Sequence, residues 1–207
     1  MADKKNKIEV AANDRQVEIW LEKNWKKALA VIVLLLVIGM TVFGTSYYRK
    51  AESAKTMKLL AEAEVADLAE LLEKNSGVPG AASARMRLAD DLLNKKDYQA
   101  AREQYALVVS DRYALAENRS RAKLNMAACD ELAGKSKEAG EAYLQVMNDL
   151  SVSAVLRDEA GYQAGRIFAG LKDSRGKEIL QKVAVSVSAN QVNPRKSNAA
   201  ALLKSLQ

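Results

Sequence analysis

Residues 28–48, ALAVIVLLLVIGMTVFGTSYY, run for 21 positions without a charged side chain. A helix rises about 1.5 Å per residue, so the run covers about 30 Å, the thickness of bilayer hydrocarbon. It predicts a single transmembrane helix over 28–48, preceded by a tail over 1–27 and followed by a more polar segment of 159 residues. Whatever those residues do is expected to happen close to a membrane.

The flanks read as an anchor that persists. A secretory signal has a short basic leader and about 7–15 apolar residues before its cleavage site. Here the leader holds five acidic residues, the apolar run is longer, and no lipobox cysteine follows. Val42-Phe43-Gly44 is the nearest approach to a cleavage site. Trp20 and Trp25 precede the span and Tyr47 and Tyr48 close it, the arrangement of two aromatic belts. Charge does not fix orientation: Arg15, Lys23, Lys26 and Lys27 on one side balance Arg49, Lys50, Lys55 and Lys58 on the other. Counting Lys4, Lys5 and Lys7 tips the balance toward a cytoplasmic N-terminus. Gly39 and Gly44 are five apart, so they do not make the GxxxG helix-pairing motif. In the tail, Asn13 is the expected N-cap of an amphipathic lead-in carrying Val17, Trp20, Leu21 and Trp25 on one face.

The rest of the chain uses a helical vocabulary of Ala, Leu, Lys and Glu and holds both prolines, and aromatic residues are 5% of the whole chain. The net charge of +6 is +2 in the tail and +4 spread with interleaved signs, unlike the concentrated basic face of a nucleic-acid binder. Histidine is absent, which removes the commonest general base and metal ligand, and the lone Cys129 reads as a small buried side chain. Acidic neighbours such as Asp90-Asp91 and Asp130-Glu131 point about 100° apart on a helix and do not converge on a substrate. No phosphate loop or nucleophile elbow occurs. The expectation is a non-enzyme with no catalytic, cofactor-binding or metal site.

Met57, Leu60, Leu68, Leu71 and Leu72 recur at helical spacing, which predicts one stalk helix over 49–76, ended by the breaker Asn75-Ser-Gly-Val-Pro-Gly80. Over 81–207 a helix–turn–helix unit then repeats. Leu88-Ala89 corresponds to Met126-Ala127, Ala101 to Ala139, Tyr105 to Tyr143 and Val108 to Val146, each 38 positions apart. A third copy, about 37 further on, is carried by Gln163-Ala164, Gly176, Leu180 and Val183. Asn193-Pro194 opens a final helix whose Leu202, Leu203 and Leu206 are expected to pack back as a cap.

Asp97-Tyr98-Gln99-Ala100-Ala101, with small residues at fixed points, resembles the turn of the tetratricopeptide repeat. The period exceeds the usual length of about 34, and Arg85 and Ala89 stand where that repeat places Trp and Gly. The expected fold is all-α: a transmembrane helix, then a tetratricopeptide-like solenoid of about three hairpins with a C-terminal capping helix. Groove-facing positions of the first helices would be Met86, Asp90 and Leu93, then Arg121 and Leu124, then Asp158 and Phe168.

Tail, single anchor and repeat domain together, with the run from Val17 to Val31 and the unit from Leu88 to Val108, resemble the ancillary subunit of the bacterial SecYEG translocon, the YfgM-type family. The resemblance implies a cytoplasmic tail at the bacterial inner membrane and a periplasmic repeat domain. It also implies translocon, periplasmic chaperones and emerging client chains as partners, and no nucleic acid. The alternative is a structural scaffold of another envelope assembly, in cell-wall synthesis or division.

Overall fold

The computed structural model describes residues 2–186 and 193–206, with side chains from Glu18 onward except at position 21. The expected tail face at Val17 and Leu21 lies outside the described side chains. Among the described residues the chain is all helical: α1 (Ala2–Glu62), α2 (Val65–Lys74), α3 (Ala81–Asn94), α4 (Tyr98–Ser110), α5 (Ala116–Leu132), α6 (Ser136–Asn148), α7 (Ala154–Gly170), α8 (Arg175–Ala184) and α9 (Pro194–Ser205). Two compact units divide it, residues 1–52 and 53–207.

The first unit is helix throughout its described length. Its helix begins at Ala2, so Asn13 is an interior residue and not a cap. The large apolar side chains from Leu29 to Phe43 are 49–74% exposed, which means that they pack on nothing within the chain. One segment is thus long and apolar enough to cross a membrane. Its hydroxyls are accommodated locally: Thr41 donates to the Ile38 carbonyl and Thr45 to the Thr41 carbonyl, both at 2.8 Å. In hydrocarbon such bonds leave no hydroxyl proton unpaired. The Lys26 ammonium lies 5.7 Å from the centre of the Trp25 ring.

In the second unit the expected continuous helix over 49–76 is broken. Glu64 is extended (ψ 148°), and α2 starts afresh with the Asp67 amide donating to the Glu64 carbonyl. Arg87, from α3, explains a break that no Gly or Pro marks. Its guanidinium donates to the carbonyls of Leu60 and Ala61 at 3.1 Å and of Ala63 at 2.8 Å. Those carbonyls have lost their helical partners, and a cation suits the negative end of the helix dipole. Leu60, Leu68 and Leu72 then bury against Ala81, Ala84 and Leu88.

From α3 onward each helix packs on the next, and α3 on α5, α5 on α7 and α7 on α9. Short connections make each helix run back along its predecessor. The three turns between α3 and α4, α5 and α6, and α7 and α8 are built alike. The amides of Lys96, Gly134 and Lys172 donate to the carbonyls of Leu93, Glu131 and Ala169. One residue later, Asp97, Lys135 and Asp173 donate to Leu92, Asp130 and Phe168. This is the paired bonding of a Schellman helix end. Its left-handed position is filled by Lys96 (φ 64°), Gly134 (φ 82°) and Lys172 (φ 59°), 38 apart each time.

The third copy's first helix therefore repeats at 38, not 37: Ala160 succeeds Ala122 and Gly165 succeeds Ala127, all buried. The residue is lost after the turn. The Ala101 and Ala139 amides reach back four positions, to Asp97 and Lys135, whereas Gly176 reaches back three, to Asp173. Beyond it the spacing from Tyr143 to Leu180 and from Val146 to Val183 is 37.

A left-handed lysine is disfavoured by about 1–2 kcal/mol, partly offset by the unfolded-chain entropy that glycine would add. Lys96→Gly and Lys172→Gly are each expected to stabilise the protein by about 0.5–1 kcal/mol, and Gly134→Ala to destabilise it by about 1 kcal/mol. Urea unfolding followed by circular dichroism reads both signs.

Tyr105, Val108, Cys129 and Ala122 form one core with Ala89 and Ala101. Tyr143, Val146, Leu156 and Phe168 form the next with Ala139 and Ala160. Leu180, Val183 and Ala199 close the row, with Leu202 and Leu203 against them. Leu206, expected to pack there, is 42% exposed because its position falls just past the last turn of α9. The Asn193 cap is as expected: its side chain accepts from the Arg195 amide at 3.0 Å.

Candidate functional site

Two neighbouring cavities open between α4 and α6, with α5 as their floor. The first, about 400 Å³, is lined by Val109, Met126, Ala127, Ala142 and Val146 and bounded by two ion pairs. Arg102 Nε donates to Asp130 Oδ2 at 3.0 Å, and Lys123 Nζ to Asp149 Oδ2 at 2.9 Å. The second, about 580 Å³, shares Arg102 and Asp130 with the first and continues past Tyr98, Gln99, Lys135 and Glu138. The Arg102–Asp130 pair is thus the partition between them.

Asp149 shows how the second ion pair is held. Its Oδ1 accepts from the Ser151 amide (3.0 Å) and hydroxyl (2.6 Å), leaving Oδ2 for Lys123. The Ser151 hydroxyl first, then Lys123, hold its carboxyl down at about 2. Asp111, 38 residues earlier, makes the same turn by accepting from the Tyr113 amide at 2.7 Å. Because the folded carboxyl lies below its unfolded value of about 3.9, its stabilisation is complete above that value and is lost as pH falls toward 2. The thermal midpoint is expected to stay level from about pH 7 to 5 and drop between about pH 4 and 2. Asp149→Asn should blunt that drop, as read by melts across the pH range.

Other ionic groups tie helices together: Glu131 to Arg166 (2.5 Å), Glu141 to Arg175 (2.9 Å) and Glu159 to Arg195 (2.9 Å). Burial, then the bond donated to Asp90 Oδ1 at 2.5 Å, push the Tyr105 hydroxyl far above its ordinary pKa. Burial, then the neighbouring Asp130, push the Cys129 thiol up to about 11. At neutral pH it is a protonated, poorly nucleophilic group in the core.

The seven expected groove residues do not come together, and none lines either cavity. Phe168 is fully buried beneath the Arg175 guanidinium, 4.1 Å from its ring centre, so it is core and not groove. Asp158 is also buried and accepts from the Asn193 side-chain amide at 2.9 Å. Met86 and Leu93 pack on the first core and Leu124 on the second. Asp90 is exposed and bonded to Tyr105, and exposed Arg121 pairs with Glu117 at 3.2 Å. The expectation looked to the first helices of the hairpins, whereas the cavities are walled by the second helices. Arg102 and Asp149 were readable as repeat positions, since Arg102 follows the invariant small Ala101 and Asp149 echoes Asp111. No family profile, curated protein or solved structure matches the chain.

Proposed function

We propose that this protein is a membrane-tethered, non-catalytic interaction scaffold, with residues 28–48 as a single-pass anchor and α3–α9 as a tetratricopeptide-like row of hairpins. The observation that carries this reading is the apolar-floored cleft across α4, α5 and α6, framed by the Arg102–Asp130 and Lys123–Asp149 pairs. The three like turns at a spacing of 38 support the repeat assignment. In the specific form of the proposal, the tail is cytoplasmic at a bacterial inner membrane. The hairpins then meet the Sec translocon, chaperones and emerging chains in the periplasm, as the sequence resemblance implies.

Two measurements test it. Protease treatment of spheroplasts should degrade the hairpin domain, and protection would overturn the periplasmic assignment. A photo-crosslinker at Val109 or exposed Gln145 should yield translocon or chaperone adducts in intact membranes. Adducts dominated by cell-wall synthesis or division proteins would move the scaffold to that assembly instead.

A further inference from the structure

Four arginines of the hairpin domain, Arg102, Arg166, Arg175 and Arg195, each bond a carboxylate across helices. Arg85 has none. It is only 8% exposed, and its single protein partner is the neutral Gln104 side chain, at 3.3 Å. A guanidinium carries five N–H donors, so with one amide oxygen beside it Arg85 keeps most of its donors and its charge without a protein partner. None of its nitrogens is sealed from solvent without a partner, so the unbonded ones keep an opening. Arg85 also lines a cavity of about 350 Å³ between the α2–α3 and α4–α5 connections.

The rest of the lining is suited to an anion attached to an apolar group. Arg112 also lines the cavity, its guanidinium 4.6 Å from the Tyr113 ring centre and donating to the Tyr113 hydroxyl at 2.9 Å. This holds the cation in place while leaving it donors to spare. The one carboxylate present, Asp111, is turned to the Tyr113 amide. Two guanidinium groups therefore face one committed carboxylate. Leu107 and Tyr113, 44% and 43% exposed, supply apolar surface beside the charges.

We propose that this cavity is a docking site for an acidic peptide segment, its carboxylate received by Arg85 and Arg112 and an adjoining apolar side chain resting on Leu107 and Tyr113. A buried guanidinium gains more from a forked carboxylate bond than an exposed one, since little solvent competes. The site is separate from the α4–α5–α6 cleft, so failure of crosslinking there would leave it standing.

The test uses the full chain in uncharged detergent and fluorescence anisotropy of a short peptide pairing Asp and Glu with leucine, beside its Asn/Gln counterpart. The acidic peptide is expected to bind at least about tenfold more tightly, with affinity falling as salt rises. Arg112→Gln, on an exposed loop, should weaken it about tenfold without moving the melting midpoint. Arg85→Gln should weaken it further, and its melting curve separates lost binding from lost fold. Equal affinity for the two peptides, or unchanged binding by Arg112→Gln, would overturn the proposal. So would anionic vesicles or inorganic phosphate displacing the peptide at concentrations at or below its own Kd.

Discussion

Gly176→Ala is expected to destabilise the hairpin domain by about 3 kcal/mol, the largest effect of any single methyl group added to it. A Cβ at this position would lie 2.4 Å from the Ala169 nitrogen, 2.8 Å from its Cα and 2.9 Å from the Gly165 carbonyl oxygen. All three are backbone atoms, so no side chain can rotate away and α7 and α8 must separate. The same methyl group is native in the other hairpins, where Ala101 and Ala139 are fully buried. The difference lies just after the turn, where the third hairpin is one residue shorter, which draws the start of α8 against α7. For a domain of this size the midpoint should fall by roughly 6–12 °C in a thermal melt. Inserting one residue between Asp173 and Gly176 restores the longer spacing, and Ala should then be tolerated. A midpoint within about 1 °C of the parent, without the insertion, would refute the account.

That shortening also marks how far periodicity carries. The 38-residue spacing of small residues and tyrosines is visible in the sequence because Ala101, Tyr105 and Val108 and their successors face one core. A period of 37 places the third copy's first helix one residue out. Counting from Met126-Ala127 to Gln163-Ala164 imposes the 37-residue spacing of the second helix on a first helix that repeats at 38. Two other departures have tertiary causes. The break at Ala63–Glu64 depends on Arg87, 24 residues beyond Ala63, and local propensity carries no trace of it. The cavities depend on ion pairs between helices, such as Arg102 with Asp130, 28 positions apart. The uncharged run over 28–48 needed no partner to be legible. Its signal is an absence of charge.

If that run anchors the chain, charge placed in it should release the protein from a membrane. In the span, eleven Leu, Ile, Val and Phe side chains lie between Ala28 and Tyr48. At about 0.3–0.6 kcal/mol each near the centre of a bilayer, they favour insertion by roughly 3–7 kcal/mol. One central arginine opposes this by about 2.5–3.5 kcal/mol, so Leu36→Arg alone should leave much of the protein inserted, helped by snorkelling. Leu36→Arg with Ile38→Arg opposes it by about 5–7 kcal/mol, which cancels the gain. The double variant is therefore expected in the alkali-soluble fraction of membranes, while the single variant and the parent resist alkaline extraction. The hairpin domain holds its own cores, so the released protein should keep the parent's melting behaviour in α3–α9. If the double variant stays as resistant to alkali as the parent, the apolar run is not what holds this chain to a membrane. If it is released but no longer crosslinks from Val109 or Gln145, tethering itself creates the encounter, by raising the local concentration of a scaffold whose contacts are individually weak.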